Sequence, residues 1–415
     1  MLHKYAFPRT PDVALLPGLL LYNKVLPLMT LSAIELEKMI TFRRELHQHP
    51  ELSGLESITA ERIAMMLRGL GVDEVHEKIG GHGVVGVIKG ASPGATVGLR
   101  ADFDALPLEE ANQFSHRSSQ SNVMHACGHD GHTAMLMAAA AQLVNQRPAQ
   151  GSVVLIFQPA EEIGTGAEAM LAEGLQDKFS LDAIFGLHNW PGVEAGRFVI
   201  HDVPHMASSD DFEVTFHSTG GHGAMPHLTT DPIVAASLFT TAIQHIVSRN
   251  IDPQDIAVIS LGSLQSGHAS NIIPATARLT GTARCFKPEL RKRLEKRISD
   301  VAEGVSKATG CDVTLDYVPS TPAVANDSGC AQLCRDVVVQ RWGHEQLVEH
   351  PVSMGADDMG AFLTHIPGAY AWIGNGSGPQ TPKLHQPDYD FNDAILSIGS
   401  DFLTSVAMQF LDNHQ

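Results

Sequence analysis

The sequence predicts an α/β protein with a central, mainly parallel sheet, interrupted by a smaller inserted unit of β-α-β-β-α-β order. Three observations point there. Short apolar runs at 84–88, 96–100, 153–157 and 183–187 alternate with helical segments, the rhythm of strands joined by crossover helices. The stretch 206–319 then reads strand, helix, strand, strand, helix, strand, the split βαβ order of ferredoxin-like domains. Finally, 415 residues are enough for two to three domains at roughly 150 residues each.

Each element has a local reason. Ser32-Ala-Ile-Glu35 is a capping box, so a helix is expected from there to about His47, ended by His49-Pro50 because the residue before proline avoids helical backbone. A second helix is expected at 57–70: Ile63, Met66, Leu67 and Leu70 share a face, and Gly71 follows at the C′ position. The Ala-rich segment 133–144 reads as a helix. The run 153–157 is continuous and rich in β-branched residues, as in a strand buried on both faces. Within the insert, strands are expected at 212–217, 256–264, 277–285 and 313–317, with helices at 232–248 and 289–305. The second helix sets Leu290, Leu294, Ile298, Val301 and Val305 on one face and most of its Lys and Arg on the other. Helices at 329–341 and 393–410 return the chain to the first unit. The expected partition is an N-terminal extension at 1–30, the first domain at 31–205 and 320–415, and the insert at 206–319.

Composition narrows the function. Apolar residues are 43% and charged residues 18%, which suits a globular chain with a real core. The net charge of −18 repels phosphate backbones, so a nucleic-acid binder is excluded. The stretch 13–29 is broken by Pro17, Asn23, Lys24 and Pro27 and is too short to cross a membrane. Lys4 and Arg9 ahead of it resemble the start of a secretory signal, but no A-x-A site follows. The expectation is instead an extension, with Met29 near an alternative start. Five cysteines, Cys127, Cys285, Cys311, Cys330 and Cys334, are too few and too scattered for a disulfide framework, which favours a reducing cytoplasm. The 22 histidines stand out, since neutral imidazole is the commonest metal ligand.

Four clusters carry chemistry. Met124-His-Ala-Cys127-Gly-His129-Asp-Gly-His132 gathers a thiol and three imidazoles ahead of a helix, and Cys127 and His129 lie close enough to serve one metal region. Glu161 and Glu162 follow the strand 153–157, at a carboxyl end where open α/β sheets bind ligands. Adjacent residues point differently, so one carboxylate can hold a metal while the other faces water. His188 ends another short strand, and His385 lies far downstream in Leu384-His-Gln-Pro-Asp388. Taken alone, the Glu pair, His188 and His385 each read as ordinary structure, whereas the Cys-His cluster is moderately specific by itself. Together they offer the Cys, His and Glu donors of a two-metal hydrolytic site.

With these clusters in hand, the chain resembles the M20 metallopeptidase clan, in the amidohydrolase branch of hippurate hydrolase, N-acyl-L-amino-acid amidohydrolases and plant indole-acetyl-amino-acid hydrolases. The motifs, besides 124–132 and Phe157-Gln-Pro-Ala-Glu161-Glu162, are Arg43-Arg-Glu-Leu-His47-Gln-His-Pro-Glu51, Leu99-Arg-Ala-Asp102-Phe-Asp104-Ala-Leu-Pro107, Gly220-Gly-His222-Gly-Ala-Met-Pro-His227 and Asn271-Ile-Ile-Pro274. They cover about 31–410. The resemblance implies a metallopeptidase-type catalytic domain with an inserted ferredoxin-like dimerisation, or lid, domain. It implies Cys127, His129, Glu162, His188 and His385 as ligands of two divalent ions, with Cys127 where the wider clan has a bridging carboxylate. Glu161 is implied as general base and Asp104 as the carboxylate that orients a ligand. Asp102 stands where the wider clan's H-x-D motif has its His. His222 is implied to reach a neighbouring active site across a homodimer, and Asn271 to bind substrate. His227 is left open between binding substrate and capping a loop.

The implied reaction is hydrolysis of the amide of N-acyl-L-amino acids, hippurate-like ones included. Glu161 serves as base and then acid, because an amide nitrogen leaves poorly unless protonated. A dipeptidase or an N-acetyl-diaminopimelate deacetylase of the same clan is the alternative, and a non-catalytic metal-binding relative a remote one. The thiolate favours Zn²⁺, Co²⁺ or Ni²⁺, and the resemblance adds Mn²⁺. His47, His49 and the other four cysteines read as structural, and His132 as a support rather than a ligand. One departure is Met354-Gly-Ala-Asp357-Asp358-Met359, where the family has an acidic pair followed by an aromatic residue.

Overall fold

The computed structural model describes residues 31–378 and 380–414. The readings made for residues 1–30 lie outside them. Helix α1 (Ala33–Gln48) is closed by Ser32 and Glu35, each side chain accepting from the other's backbone N–H. Helix α2 (Ser57–Leu70) buries Ile63 and Leu67 and stops at Gly71, whose φ of 87° suits glycine. A hairpin of β1 (Glu74–Ile79) and β2 (Gly83–Lys89) follows, then β3 (Thr96–Asp102), α3 (His129–Asn145) and β4 (Ser152–Gln158). Two short helices, α4 (Gly166–Ala172) and α5 (Leu175–Phe179), lead into β5 (Ala183–Pro191) and β6 (Phe198–Val199).

The insert comprises β7 (Ser208–His217), β8 (Gly221–His222), α6 (Pro232–Ala242), β9 (Ala257–Ser266), β10 (Ile272–Ile273), β11 (Thr276–Cys285), α7 (Pro288–Thr309) and β12 (Asp312–Thr321). Helices α8 (Ser328–Trp342) and α9 (Met359–His365), strand β13 (Gly368–Gly376) and helix α10 (Leu396–Asn413) complete the chain.

The large sheet runs β1-β2-β4-β3-β5-β13-β6. Its centre, β4, β3, β5 and β13, is parallel, and β1, β2 and β6 join antiparallel at the edges. Successive residues of β4 serve opposite faces. Leu155 and Phe157 pack with α3 and α10, while Val154 and Ile156 pack with Met170 of α4 and Phe362 of α9. That is why its apolar run has no polar alternation. Helix α10 is long and apolar enough to cross a membrane, but 72% of that window is buried in this core. The insert forms its own antiparallel sheet, β12-β7-β11-β9, with α6 and α7 on one face over Phe212, Val214 and Leu279. With β7 as first strand the order is 4-1-3-2, the ferredoxin-like arrangement. The cores of the two sheets are separate.

Several elements differ from expectation. The helix expected over 232–248 ends at Ala242 and gives way to a π-turn at Ile246–Asn250. Here the His245 ring bonds the Ala242 carbonyl, so a side chain competes with the helical ladder. Helix α3 starts at His129 rather than 133, and β12 runs on to Thr321. The edge strand β1 was not expected: Glu-Val-His-Glu-Lys-Ile is half-exposed and carries no apolar run.

Candidate active site

The parallel strands deliver the chemistry at one edge of the sheet. Asp102 ends β3 and Asp104 lies two residues beyond it; Glu161 and Glu162 follow β4; His188 lies near the end of β5. Gly128, at φ 92°, turns the chain so that Cys127 lies in the loop and His129 opens α3. The His385 backbone N–H bonds the Ala126 carbonyl at 2.8 Å, which brings the late loop to the same place. The result is a cavity of about 920 Å³ whose walls include Cys127, Glu161, Glu162, His188 and His385.

All five residues expected as ligands converge. Cys127 Sγ lies 3.6 Å from His188 Nε2, His129 Nε2 lies 3.7 Å from Glu162 Oε1, and His385 Nε2 lies 3.5 Å from Glu162 Oε2. Donor atoms of Cys127, His129 and His188, of Cys127, Glu162 and His385, and of His129, Glu161 and Glu162 each fall within 4.8 Å of one another. Tautomers are set by the far side of each ring. His129 Nδ1–H donates to the Asp104 carbonyl at 2.9 Å and faces Asp104 Oδ1 at 3.1 Å; His188 Nδ1–H donates to the Asn189 carbonyl. Both leave Nε2 with its lone pair toward the cluster, as metal-ligating imidazoles require. His129 Nε2 and Glu162 Oε1 are buried without a hydrogen-bond partner among the described residues. Orphaned, converging nitrogen, oxygen and sulfur donors fit divalent cations.

The electrostatics are strongly perturbed. Burial, then Asp357, Glu162 and Asp358, push the Glu161 carboxyl well above the usual range. Burial works against a charged His129, yet Asp102 and Cys127 outweigh it and raise that imidazole. Burial and the neighbouring His132 lower His188. Hydrogen bonds to Cys127 and Glu162 lift His385 to about 10. His132 supports rather than ligates: its Nδ1–H donates to Asp102 at 2.6 Å and its Nε2 accepts from the Asn189 N–H at 3.1 Å. Asn189 in turn donates to the Cys127 carbonyl at 2.7 Å. Asp104 also accepts from the Glu162 N–H at 3.0 Å and the Ser53 hydroxyl at 2.7 Å.

The residues singled out in the insert lie elsewhere. His222 in β8 pairs with Ile272 of β10, and the Gly223 N–H bonds the Asn271 carbonyl, so His222 and Asn271 share one exposed ribbon. His227 sits in the exposed turn Pro226–Leu228. None of the three lines the cavity.

Comparison with known proteins places the chain. Residues 98–409 match the model of peptidase family M20/M25/M40. This chain belongs to that family. The hippurate hydrolase of Campylobacter jejuni is 39% identical over 378 residues, covering 91% of this chain and 97% of that protein. The N-acetyl-L-cysteine deacetylase of Bacillus subtilis is 36% identical, covering 93% and 91%. The crystal structure of Bacillus subtilis YXEP, described as a dinuclear metal binding peptidase from M20 family, aligns with a TM-score of 0.80 at 31% identity over 92% of this chain and 99% of that one. The protein is thus an M20 metal-dependent amidohydrolase.

Within this amidohydrolase, three further features escaped sequence reasoning. Arg284 of β11 lines the cavity, and its described contact is a 3.3 Å bond to the Met354 carbonyl, with no carboxylate partner among the described residues. Its strand alternates polar and apolar like any half-buried strand, so nothing local marks it. Asp357 and Asp358 are more than a departure in a loop. Both are buried against Arg100, at 3.3 and 3.0 Å, and both come within 4.8 Å of Glu161. Arg100 also binds Asp102 at 2.8 Å, so one buried cation ties the strand end to the acidic pair. Glu56 is the third.

Proposed function

We propose that this protein hydrolyses the amide of N-acyl-L-amino acids, hippurate-like substrates among them, with two divalent cations per subunit held by Cys127, His129, Glu162, His188 and His385. The observation that carries the reading is the placement of Glu161 beside this donor set, with Arg284 on the cavity wall and no carboxylate partner for it among the described residues. When bound, such a metal pair supplies Lewis acidity and acidifies water. Mn²⁺ and Zn²⁺ are the leading ions, with Co²⁺ and Ni²⁺ as alternatives.

Glu161 takes the proton of the attacking water and returns it to the departing amine. Asp104 fixes the tautomer and plane of His129. Arg284 offers its guanidinium to the substrate's α-carboxylate, since a guanidinium in a cavity wall with no carboxylate partner among the described residues is best matched by a planar anion. His222 Nδ1 accepts from the Ala224 N–H at 3.1 Å, which leaves Nε2–H free to donate to a developing oxyanion.

Because His222 and Asn271 lie outside their own chain's cavity, we assign them to the cavity of a second copy. The ribbon and α6 expose Met225, Leu228, Ile233, Val234, Leu238 and Ile272, an apolar surface suited to a homodimer contact. The unit 206–319 then acts as lid and dimerisation domain.

The test is amino-acid release from hippurate and N-acetyl-L-methionine by EDTA-stripped protein, with and without Mn²⁺ or Zn²⁺. Activity restored only by metal supports the reading. Hydrolysis unchanged in Glu161→Gln would overturn the base assignment.

A further inference from the structure

We propose that Glu56 is a positioning residue that holds the turn carrying Glu161. Strand β4 runs into Pro159-Ala160-Glu161-Glu162, and Ala160 adopts a left-handed backbone at φ 54°, unusual for a residue with a Cβ. This kink lets neighbouring carboxylates share His129 yet take different further partners, Glu162 facing His385 and Glu161 reaching toward Asp357. A left-handed alanine persists only where its surroundings over-determine it.

Two buried carboxylates provide that constraint. Glu56 Oε1 accepts from the Ala160 N–H at 2.9 Å, and Asp104 Oδ2 accepts from the Glu162 N–H at 3.0 Å. The peptide N–H groups on either side of Glu161 are therefore each held by a carboxylate, and Glu161 is free to face the cavity. The same loop serves both anchors. Glu56 Oε1 also accepts from the Gly54 N–H at 2.9 Å, and Ser53 donates to Asp104 at 2.7 Å. The segment 53–56 is thus a staple across the strand ends. Glu56 has no exposed surface, its Oε2 has no hydrogen-bond partner among the described residues, and burial pushes its carboxyl above the ordinary range. A group so placed is expensive to keep unless its accepting oxygen serves a purpose. That purpose needs a lone pair and the right reach, not a negative charge.

The proposal rests on Glu161 as the base, and the experiment separates the two. Glu56→Gln keeps the accepting oxygen at full reach. Glu56→Asp keeps the carboxylate but shortens the arm by roughly 1.5 Å, one carbon–carbon bond. With hippurate and N-acetyl-L-methionine as probes, Glu56→Gln is expected to retain kcat within about threefold. Glu56→Asp is expected to lose kcat by about 10- to 100-fold with KM little changed, the signature of a misplaced catalytic group. Hydrogen exchange in the peptide 158–166, read on the same proteins, should quicken in Glu56→Asp and stay at the wild-type rate in Glu56→Gln. Exchange needs no turnover, so it decides the matter whatever the substrate. Unchanged exchange and kcat in Glu56→Asp, or equal damage from Glu56→Gln, would overturn the positioning role. Full activity in Glu161→Gln would instead overturn the base assignment and leave the exchange result standing.

Discussion

The floor of the cavity and the β8–β10 ribbon of the lid carry the same kinds of residue under opposite conditions. On the floor, Cys127, His129 and His188 are buried, and His129 and His188 are each fixed from behind by a backbone carbonyl. On the ribbon, a pair of two-residue strands, His222 is exposed on β8 and Asn271 just before β10. Strand ends of a parallel sheet are rigid because each strand is bonded on both sides, so they suit groups that must hold metal geometry within tenths of an ångström. A ribbon on a separate core suits groups that act only once a substrate or a second chain arrives. On the proposed reading, one half of the site is built by folding and the other half by assembly.

The largest effect should come from the floor. Glu161→Gln is expected to lower kcat by about 10³- to 10⁴-fold while leaving metal stoichiometry near wild type, because the amide keeps the shape but not the base. Steady-state kinetics with metal analysis checks both halves. A drop in bound metal would show that Glu161 also holds a cation.

Next comes the ribbon. His222→Ala is expected to lower kcat by about 10²- to 10³-fold, in the range of a lost oxyanion donor. If the residue serves the other copy, equimolar His222→Ala and Glu161→Gln chains, allowed to exchange subunits, should recover about one quarter of wild-type activity, since half the dimers are mixed and each has one intact site. No recovery in mixtures shown to contain mixed dimers would place His222 in its own chain's site or outside the reaction. Arg284 lies between the two regions. Arg284→Met should raise KM by roughly 10- to 100-fold for substrates with a free α-carboxylate. It should matter far less for their carboxamides. Equal losses on both would remove the anion-binding role.

The floor was far more legible in the sequence than the lid or the supports. Cys127, His129, Glu161 and Glu162 sit in compact motifs at a helix start and a strand end, where local spacing already implies convergence. His188 and His385 became meaningful only together, and the fold brings them in through β5 and through the hydrogen bond from His385 to Ala126. The supports were hidden because their partners are distant in sequence. Arg100 meets Asp358 across 258 positions, and Glu56 meets Ala160 across 104. In the fold, β1 was missed because an edge strand buries little. The helix after Pro232 was drawn too long because hydrophobic periodicity says nothing of a His245 side chain taking a backbone carbonyl.

The smallest effect concerns how the floor is braced. His47 of α1 bonds Asp130 of α3 at 2.8 Å through Nδ1 and Glu110 at 3.2 Å through Nε2, deep in the protein. Burial opposes its charge, but Asp130 above all, with Glu110, lifts it to about 9. A group raised on folding binds protons more tightly in the native state. Its contribution is therefore complete below about pH 6.5, the unfolded value, and is lost as pH climbs through about 9. Between pH 6 and 10 the native state should lose on the order of 3 kcal/mol from this source, a few degrees of Tm. His47→Gln keeps polar contacts without the titration, so the wild-type advantage over it should shrink across that window. Parallel pH–Tm curves for the two proteins would show that His47 is neutral in the fold. Because the brace joins α1 to the first turn of α3, its loss should lower stability without altering the oligomeric state. A change in oligomeric state on replacing His47 would mean that floor and lid are coupled more tightly than their separate cores imply.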